Sequence, residues 1–206
     1  MAGGRPREFD VEQAVERALD VFWEHGYEGA SLAQLTAAMG INRPSLYLAF
    51  GNKENLFRLA IERYYAGDAA HTAAALDEPT ISDVIREYLH RNVDAITNPA
   101  HPRGCLVVQS ALRCRPENAP IADSLAQLRR QTTQRLRDRF EAGRRDGDTS
   151  CALDPEALAD FISTVSEGMS VQAASGADPE RLHAVVDVAL RAVTDPSGRI
   201  APSTAV

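Results

Sequence analysis

The chain contains almost no lysine. Lys53 is the only lysine among 22 basic residues, and the 206 residues carry a formal net charge of −7. A negative net charge argues against non-specific binding of polyanions by the whole molecule, but it does not exclude a local basic surface. Acidic residues are themselves missing from Ser31 to Lys53, so the single lysine closes a stretch without any negative side chain.

Long apolar runs and paired cysteines are also scarce. No apolar segment approaches the roughly 20 residues that a membrane helix needs, and the N-terminal segment lacks the apolar centre of a signal peptide. The three cysteines, Cys105, Cys114 and Cys151, leave one unpaired and match no zinc spacing. We therefore expect a cytoplasmic protein in a reducing compartment, without a membrane partner, a metal site or a cofactor.

Catalytic motifs are missing as well. The C-terminal half has no glycine-rich phosphate loop, no HExxH pair and no ordered serine, histidine and aspartate set, and its histidines are scattered. The sequence thus favours a protein that is not an enzyme and has no catalytic residues. The alternative is an enzymatic or small-molecule-binding all-α protein in which any helical hairpin serves only packing.

Helical patterns run along the whole chain, and nothing resembles a strand hairpin. N-cap residues followed by proline mark two helix starts, at Asp154-Pro155 and at Asp178-Pro179. Apolar residues recur at helical spacing between such signals. The sequence therefore predicts an all-α protein of about nine helices, over residues 10–25, 31–39, 43–50, 53–76, 80–97, 104–114, 117–142, 155–174 and 179–193.

The segment INRPSLYLAF (41–50) has a proline where a helix can accept one. Pro44 lacks an N–H, but the first turn of a helix has no internal partner for such groups, so a helix capped by Asn42 tolerates it. A capping box that starts at Ser31 opens the preceding helix, and Gly40 ends it. Two short helices joined by a glycine turn are typical of a helix-turn-helix, whose second helix enters the major groove of DNA.

One face of this second helix is apolar and the other is mixed. On a helical wheel Leu46, Ala49 and Phe50 form an arc that must pack inward. The opposite arc offers a guanidinium, a hydroxyl, a phenol and two apolar groups, from Arg43, Ser45, Tyr47, Pro44 and Leu48. Such a surface can bond to phosphates and base edges while its apolar parts contact thymine methyl groups. Double-stranded DNA is the expected partner.

The chain resembles the TetR family of bacterial regulators over about residues 9–60. The shared features are the GYEGAS turn (26–31), the PSLY-x-x-F helix (44–50) and GNKENL (51–56), and the resemblance continues weakly through RGCLVVQSAL (103–112). It implies a homodimeric, ligand-responsive transcriptional regulator, by family habit a repressor that binds a palindromic operator and is released by a small-molecule inducer.

The resemblance also implies roles for single residues. Lys53 and Tyr47 resemble the family's phosphate-contacting lysine and tyrosine, and Ser31 would do the same from a helix N-terminus. Arg43 would prefer guanine. Two arginines of the N-terminal arm resemble arms that enter the minor groove, with a disordered solubilising tail as the alternative. The candidate DNA-binding residues are Arg5, Arg7, Ser31, Gln34, Arg43, Pro44, Ser45, Tyr47, Leu48 and Lys53.

The last two helices carry apolar stripes. The resemblance implies that they pair with their copies in a four-helix dimer interface, and the alternative is an intramolecular core. The candidate interface residues are Phe161, Val165, Met169, Leu182, Val185, Val186, Ala189 and Val193. We expect an arm and a DNA-binding domain over 1–52, a ligand-binding and dimerisation domain over 53–195, and a flexible tail over 196–206.

A ligand cavity would lie among the central helices. Its candidate residues are Tyr88, Cys105, Gln109, Phe140 and Phe161, each of which could instead be plain core. Cys105 opens a predicted helix behind Gly104, where the helix N-terminus favours a thiolate. It is therefore either a sensor of electrophiles or oxidants or an inert cysteine.

Overall fold

The computed structural model describes residues 9–112 and 114–194, and within these ranges it contains helices and no strand. The ten α-helices are α1 (Val11–Gly29), α2 (Leu32–Met39), α3 (Arg43–Phe50), α4 (Lys53–Ala66), α5 (His71–Ala74), α6 (Ile81–Ile96), α7 (Leu106–Leu112), α8 (Ala119–Arg145), α9 (Pro155–Ala174) and α10 (Pro179–Thr194). Single 3-10 turns span Ala75–Asp77 and Pro116–Asn118. The all-α prediction is confirmed. None of the helices in the described ranges has both the length and the apolar character needed to cross a membrane.

Side-chain caps start many of these helices. Ser31 is typical: its Oγ accepts a hydrogen bond from the Gln34 N–H at 3.2 Å, and Gln34 Oε1 accepts from the Ser31 N–H at 2.9 Å. The predicted capping box is therefore complete. Because a cap pairs N–H groups that have no partner inside the helix, local sequence is enough to locate the start. The other N-caps that accept first-turn N–H groups are Asp10, Asn42, Asn52, Thr80 and Asp154.

The predicted helix over 53–76 is wrong at its C-terminal end. α4 ends at Ala66, and the Gly67 N–H donates to the Arg63 carbonyl at 3.1 Å while its own φ and ψ, −119° and −87°, leave the helical region. The chain continues in α5 and a 3-10 turn. The alanine-rich segment that follows Gly67 keeps a helical pattern, which concealed this break in the sequence.

The predicted helix over 104–114 is wrong at both ends. Gly104 has φ of 91°, a conformation that favours glycine, and its N–H donates to the Ile96 carbonyl at 2.8 Å. The backbone thus turns at this point, and Cys105 lies before α7 instead of inside its first turn.

The predicted helix over 117–142 also has different ends, because α8 begins after a 3-10 turn and continues past Gly143. A Cβ atom on Gly143 would lie 2.9 Å from Cγ1 of Ile81. This glycine therefore allows close packing and does not end the helix.

The chain divides into two compact units. The first unit comprises the residues up to Asp68 together with Leu106–Ala126, and so contains α1 to α4, α7 and the first turns of α8. Its core is aromatic: the Phe57 ring lies 4.9 Å from the Phe22 ring and 5.0 Å from the Tyr27 ring, measured between centroids. The predicted domain limits at residues 52 and 195 stay a prediction.

The described part of the second unit comprises Ala69–Cys105 and residues 127–194. Its core is formed by α6, α8, α9 and α10, whose fully buried side chains include Ile85, Leu89, Leu136, Phe140 and Ile162. Arg103, which lies outside α9, caps the C-terminal end of that helix. Its guanidinium donates to the Ala173 carbonyl at 3.1 Å and also to the Ala177 carbonyl. The predicted tail over 196–206 lies outside the described residues.

A side chain from the loop after α8 caps α6. Asp148 accepts a hydrogen bond from the Ile81 N–H at 2.5 Å and another from the Ser150 N–H at 2.8 Å. Burial alone would raise the pKa of this carboxyl group, but the hydrogen bonds from the Ile81 and Ser150 backbone and the Ser150 side chain, together with the charge of Arg139, outweigh burial and hold the pKa below its usual value. The cap joins segments 67 residues apart.

Replacing Asp148 by alanine should lower the free energy of unfolding at pH 7 by about 1–3 kcal/mol, because the Ile81 N–H loses its acceptor. The pKa is lower in the folded state, so the contribution is complete above the unfolded-state pKa and disappears as pH falls through the folded-state pKa. Urea unfolding curves of wild type and variant should therefore converge in strongly acid solution. Asp146→Ala, at an exposed position of the same loop, is the control, and equal losses for both variants would contradict the cap.

Candidate nucleic-acid interface

The turn between α2 and α3 is determined by two adjacent signals. Gly40 has φ of 67° and ψ of 29°, the left-handed conformation that favours glycine, and its N–H donates to the Ala37 carbonyl at 3.2 Å. Asn42 Oδ1 then accepts a hydrogen bond from the Ser45 N–H at 2.9 Å. Pro44 lies in the first turn, where its missing N–H costs nothing. The helix-turn-helix predicted from the sequence is thus present.

α3 buries its apolar arc and exposes the mixed one. Leu46 is fully buried and Phe50 nearly so, with the Phe50 ring 6.4 Å from the Phe9 ring. Leu48 is 85% exposed, although a leucine side chain gains free energy by leaving water. The fold of the protomer does not use this side chain, which leaves it free for contact with a partner. The other exposed residues of this arc are Arg43, Pro44 and Tyr47, and Ser45 is half-buried.

The only lysine is held over an aromatic ring at the start of α4. Lys53 Nζ lies 4.5 Å from the ring centroid of Tyr27, which is itself buried against Phe57. Burial lowers the pKa of Lys53, and the nearby Glu28 carboxylate partly opposes this shift. A cation–π contact of this kind orients an ammonium group. Lys53 is itself the first residue of α4, and the N–H groups and dipole at a helix N-terminus favour an anion such as phosphate.

Glu28 joins the end of α1 to the connection between α7 and α8. Its carboxylate accepts hydrogen bonds from the Arg115 N–H at 3.0 Å and from Asn118 Nδ2 at 2.7 Å. These bonds, that of the Arg115 backbone first, hold the pKa of Glu28 below its usual value. Glu28, which the sequence analysis missed, follows directly after Tyr27. One short segment at the end of α1 therefore supplies both the ring under Lys53 and the acceptor for the α7–α8 connection.

Two family models match most of this chain. The model described as bacterial regulatory proteins, tetR family, matches residues 14–60, and the model of the tetracyclin repressor-like C-terminal domain matches residues 83–189. The chain belongs to the TetR family. The second match covers the helices for which the sequence resemblance was weak or missing.

Individual relatives agree with this assignment. The HTH-type transcriptional repressor ComR of Escherichia coli (strain K12) is 34% identical over 191 residues, which cover 91% of this chain and 90% of ComR. BdcR, a repressor of the same organism, is 31% identical, with 92% of each chain covered. A structure of a cysteine mutant of the TetR regulator CifR with 26-base-pair operator DNA is 46% identical with a TM-score of 0.87, covering 91% of this chain and 99% of the other.

These relatives carry the names of transcriptional regulators and not of enzymes. This TetR-family chain is accordingly a DNA-binding transcriptional regulator. The alternative of an enzyme or small-molecule-binding protein with a merely structural hairpin is not favoured.

The remaining DNA-binding candidates of this TetR-family regulator differ in what the structure shows. Ser31 and Gln34 are exposed at the start of α2, where their side chains form the capping box, with Ser31 Oγ donating to Gln34 Oε1 at 2.6 Å. Arg5 and Arg7 lie outside the described residues.

The dimer candidates fall into two groups. Five of them are buried in the core of the second unit: Met169, Leu182, Val186, Ala189 and Val193. Phe161 and Val185 are exposed, and Val165 is half-buried. Val188, which the sequence analysis did not select, is 55% exposed on α10. A side chain buried in the core of its own protomer offers little surface to a partner, so only the second group is free to contact one.

The ligand candidates are likewise divided. Tyr88 and Phe140 are buried in the core of the second unit, Phe161 is exposed on α9, and Cys105 is half-buried. Gln109 belongs to the first unit, where it is buried and its Nε2 has no hydrogen-bond partner among the residues that the structure describes. The adjacent Ser110, which the sequence analysis missed, is buried with an unpaired Oγ. Unpaired buried polar groups of this kind are uncommon in proteins and can mark a ligand contact.

Proposed function

We propose that this regulator is a repressor that binds a palindromic operator as a homodimer in the cytoplasm and leaves it when a small molecule binds. The observation that carries the proposal is the exposed arc of α3, with Leu48 in water, in a segment free of acidic side chains from Ser31 to Lys53. A gel shift with the DNA upstream of the protein's own coding region tests it most directly. The absence of any salt-sensitive shift would count against the proposal.

Two kinds of DNA contact follow from the positions of the side chains. Lys53, held over Tyr27, and the exposed Tyr47 and Ser31 are suited to phosphates. Gln34 lies beside Ser31 in the same helix cap. The side chains proposed to face the bases are Arg43, Pro44, Ser45 and Leu48. Arg43 would select guanine and Leu48 a thymine methyl group. Arg5 and Arg7 are proposed to enter the adjacent minor groove.

The proposed dimer uses the exposed apolar side chains of α9 and α10. Phe161, Val165, Val185 and Val188 offer apolar surface that a second copy would remove from water. A two-fold dimer would present two copies of α3 to successive major grooves, about 34 Å apart.

The proposed effector is a small molecule held without a covalent bond. Gln109 Nε2 and Ser110 Oγ support this idea, because an acceptor on the effector would pair buried groups that otherwise lack partners. The ligand-contacting roles of Tyr88, Phe140 and Phe161, which belong to the second unit, stay predictions of the sequence. Cys105 is the alternative, as a thiol that reacts with electrophiles or oxidants.

Lys53→Ala should weaken binding to operator and random DNA about equally and reduce the slope of log K against log salt by about one. Arg43→Ala should instead relax the preference at one position of each half-site, at about 1–3 kcal/mol. Lys53→Met is the matched control, since it keeps apolar bulk over Tyr27 without the charge and should behave like Lys53→Ala. Equal losses of Lys53 and Arg43 variants on both kinds of DNA, measured by anisotropy, would overturn this division of roles.

Val185→Glu should raise the dimer dissociation constant about 100-fold, or ~2.7 kcal/mol, because it places a charge in a dry interface. Sedimentation velocity across a range of protein concentrations measures the shift. Ala174→Glu, at an exposed position on the other side of α9, is the control and should stay dimeric. Val186 is unsuitable for this test because it is fully buried in the protomer. Unchanged dimers with both Val185→Glu and Val188→Glu would place the interface elsewhere.

N-ethylmaleimide at neutral pH should label Cys105 before the other two cysteines. Burial raises the pKa of Cys114 and Cys151, with Glu28 adding to the shift of Cys114, so both have less reactive thiolate. Peptide mass spectrometry over time gives the order, and a gel shift follows DNA release in parallel. Cys105 is not the sensor if its thiol is labelled last. The same conclusion follows if the reagent releases the Cys105→Ser variant from DNA as it releases the wild type.

A further inference from the structure

Two histidines from α6 and α10 meet in the second unit. His90 Nδ1 lies 2.8 Å from His183 Nδ1, and the ring centroids are 5.0 Å apart with 30° between the ring planes. About a third of each side chain is exposed, 31% for His90 and 33% for His183, so solutes can reach the pair. Nothing in the proposed repressor mechanism uses these residues.

Each ring turns its other nitrogen toward a carboxylate of the opposite helix. His183 Nε2 lies 3.3 Å from Asp94 Oδ1 on α6, and His90 Nε2 lies 4.0 Å from Asp187 Oδ1 on α10. The aspartate on each helix follows its histidine by four residues, or about one turn. The result is a crossed, nearly symmetric set of two histidines and two aspartates.

The carboxylates decide how the rings carry their protons. A carboxylate favours an N–H on the ring nitrogen that it faces. The two carboxylates lie on the Nε2 side of the rings, at 3.3 Å from His183 and at 4.0 Å, beyond hydrogen-bond distance, from His90. In a neutral ring the other nitrogen, Nδ1, then carries only a lone pair. If both rings carry their proton on Nε2, two Nδ1 lone pairs face each other 2.8 Å apart and repel unless a positive group lies between them. A proton is one such group, and a metal cation is another.

We propose that His90 and His183 form a two-histidine binding site for a divalent cation of the late first-row metals, such as Zn²⁺, Ni²⁺ or Cu²⁺. Imidazole nitrogen is a preferred ligand of these ions. Metal-bound histidine commonly donates its other N–H to a carboxylate, and carboxylates lie 3.3 Å from His183 Nε2 and 4.0 Å from His90 Nε2. Two neutral rings and two carboxylates carry two negative charges, which one divalent cation balances.

The geometry requires only a small movement. Two Zn–N bonds of about 2.0–2.1 Å at a tetrahedral angle place the nitrogens about 3.3 Å apart, so the rings must separate by about half an ångström. Among the residues that the structure describes, no group of three or more histidine, cysteine, aspartate or glutamate side chains is arranged to hold a metal ion. The site therefore has two protein ligands, and water or an added ligand completes it. Such an open site should bind in the micromolar range.

A bound cation would clamp α6 to α10. This effect could reach the oligomer, because Val185 and Val188, on the same helix as His183, belong to the proposed dimer interface. That consequence depends on the proposed dimer, whereas cation binding itself does not.

The experiment is a titration of the full-length, chelator-treated and reduced protein with ZnCl₂ and with NiCl₂ in a buffer that does not bind metal. Calorimetry should show one cation per chain with a micromolar dissociation constant, and the melting temperature should rise with added metal. His90→Gln and His183→Gln should each weaken binding at least tenfold. Asp94→Asn and Asp187→Asn should weaken it about 10- to 100-fold.

His25→Gln is the matched control. His25 is also about a third exposed, 35%, and has a carboxylate 3.9 Å away, but no second histidine pairs with it. The His25→Gln variant should leave cation binding unchanged. Circular dichroism without metal checks that each variant folds, and nitrogen NMR of wild type should show that the Nδ1 signals of His90 and His183 shift on titration. The proposal would be overturned if the cation showed no saturable binding to wild type, or if it bound wild type and His183→Gln equally. The two histidines would then share only a proton.

Discussion

Burial of Leu46 and Phe50 sets the direction in which α3 presents every other side chain. Because these two residues lie on one arc, packing them inward turns Tyr47 and Leu48 outward into water. The left-handed Gly40 and the Asn42 cap determine where α3 begins, so the arc cannot rotate by a residue without losing both the cap and the core contact. The exposed arc of α3 is thus a consequence of core packing.

The position of the Lys53 ammonium group, which we propose contacts phosphate, also depends on packing within the first unit. Lys53 begins α4, but its ammonium group is placed by the buried ring of Tyr27 at the end of α1. Glu28, the next residue, holds the connection between α7 and α8 through Arg115 and Asn118. A movement of that connection would therefore act on the segment that supports the Lys53 side chain.

The apolar stripes of α9 and α10 pack mainly inside the protomer. Five of the eight interface residues predicted from the sequence, Met169 and Val186 among them, fill its own core, while Phe161 and Val185 stay in water. An amphipathic period shows that a helix has an apolar side, but it does not tell which apolar side chains face the protomer and which face a partner. The intramolecular alternative, left open by the sequence, therefore accounts for the buried residues of both helices.

Local signals in the sequence determined the all-α class, the helix-turn-helix and its caps, because Gly40, Asn42 and Ser31 act on neighbours within four residues. They also distinguished Leu46 from Leu48, since helical period alone separates the two faces. Tertiary structure alone decided the long-range contacts: Asp148 capping α6, Glu28 holding Arg115, and the pairing of His90 with His183. Those partners lie 67 to 93 residues apart, and only the packing of whole helices brings such distant side chains within hydrogen-bond distance.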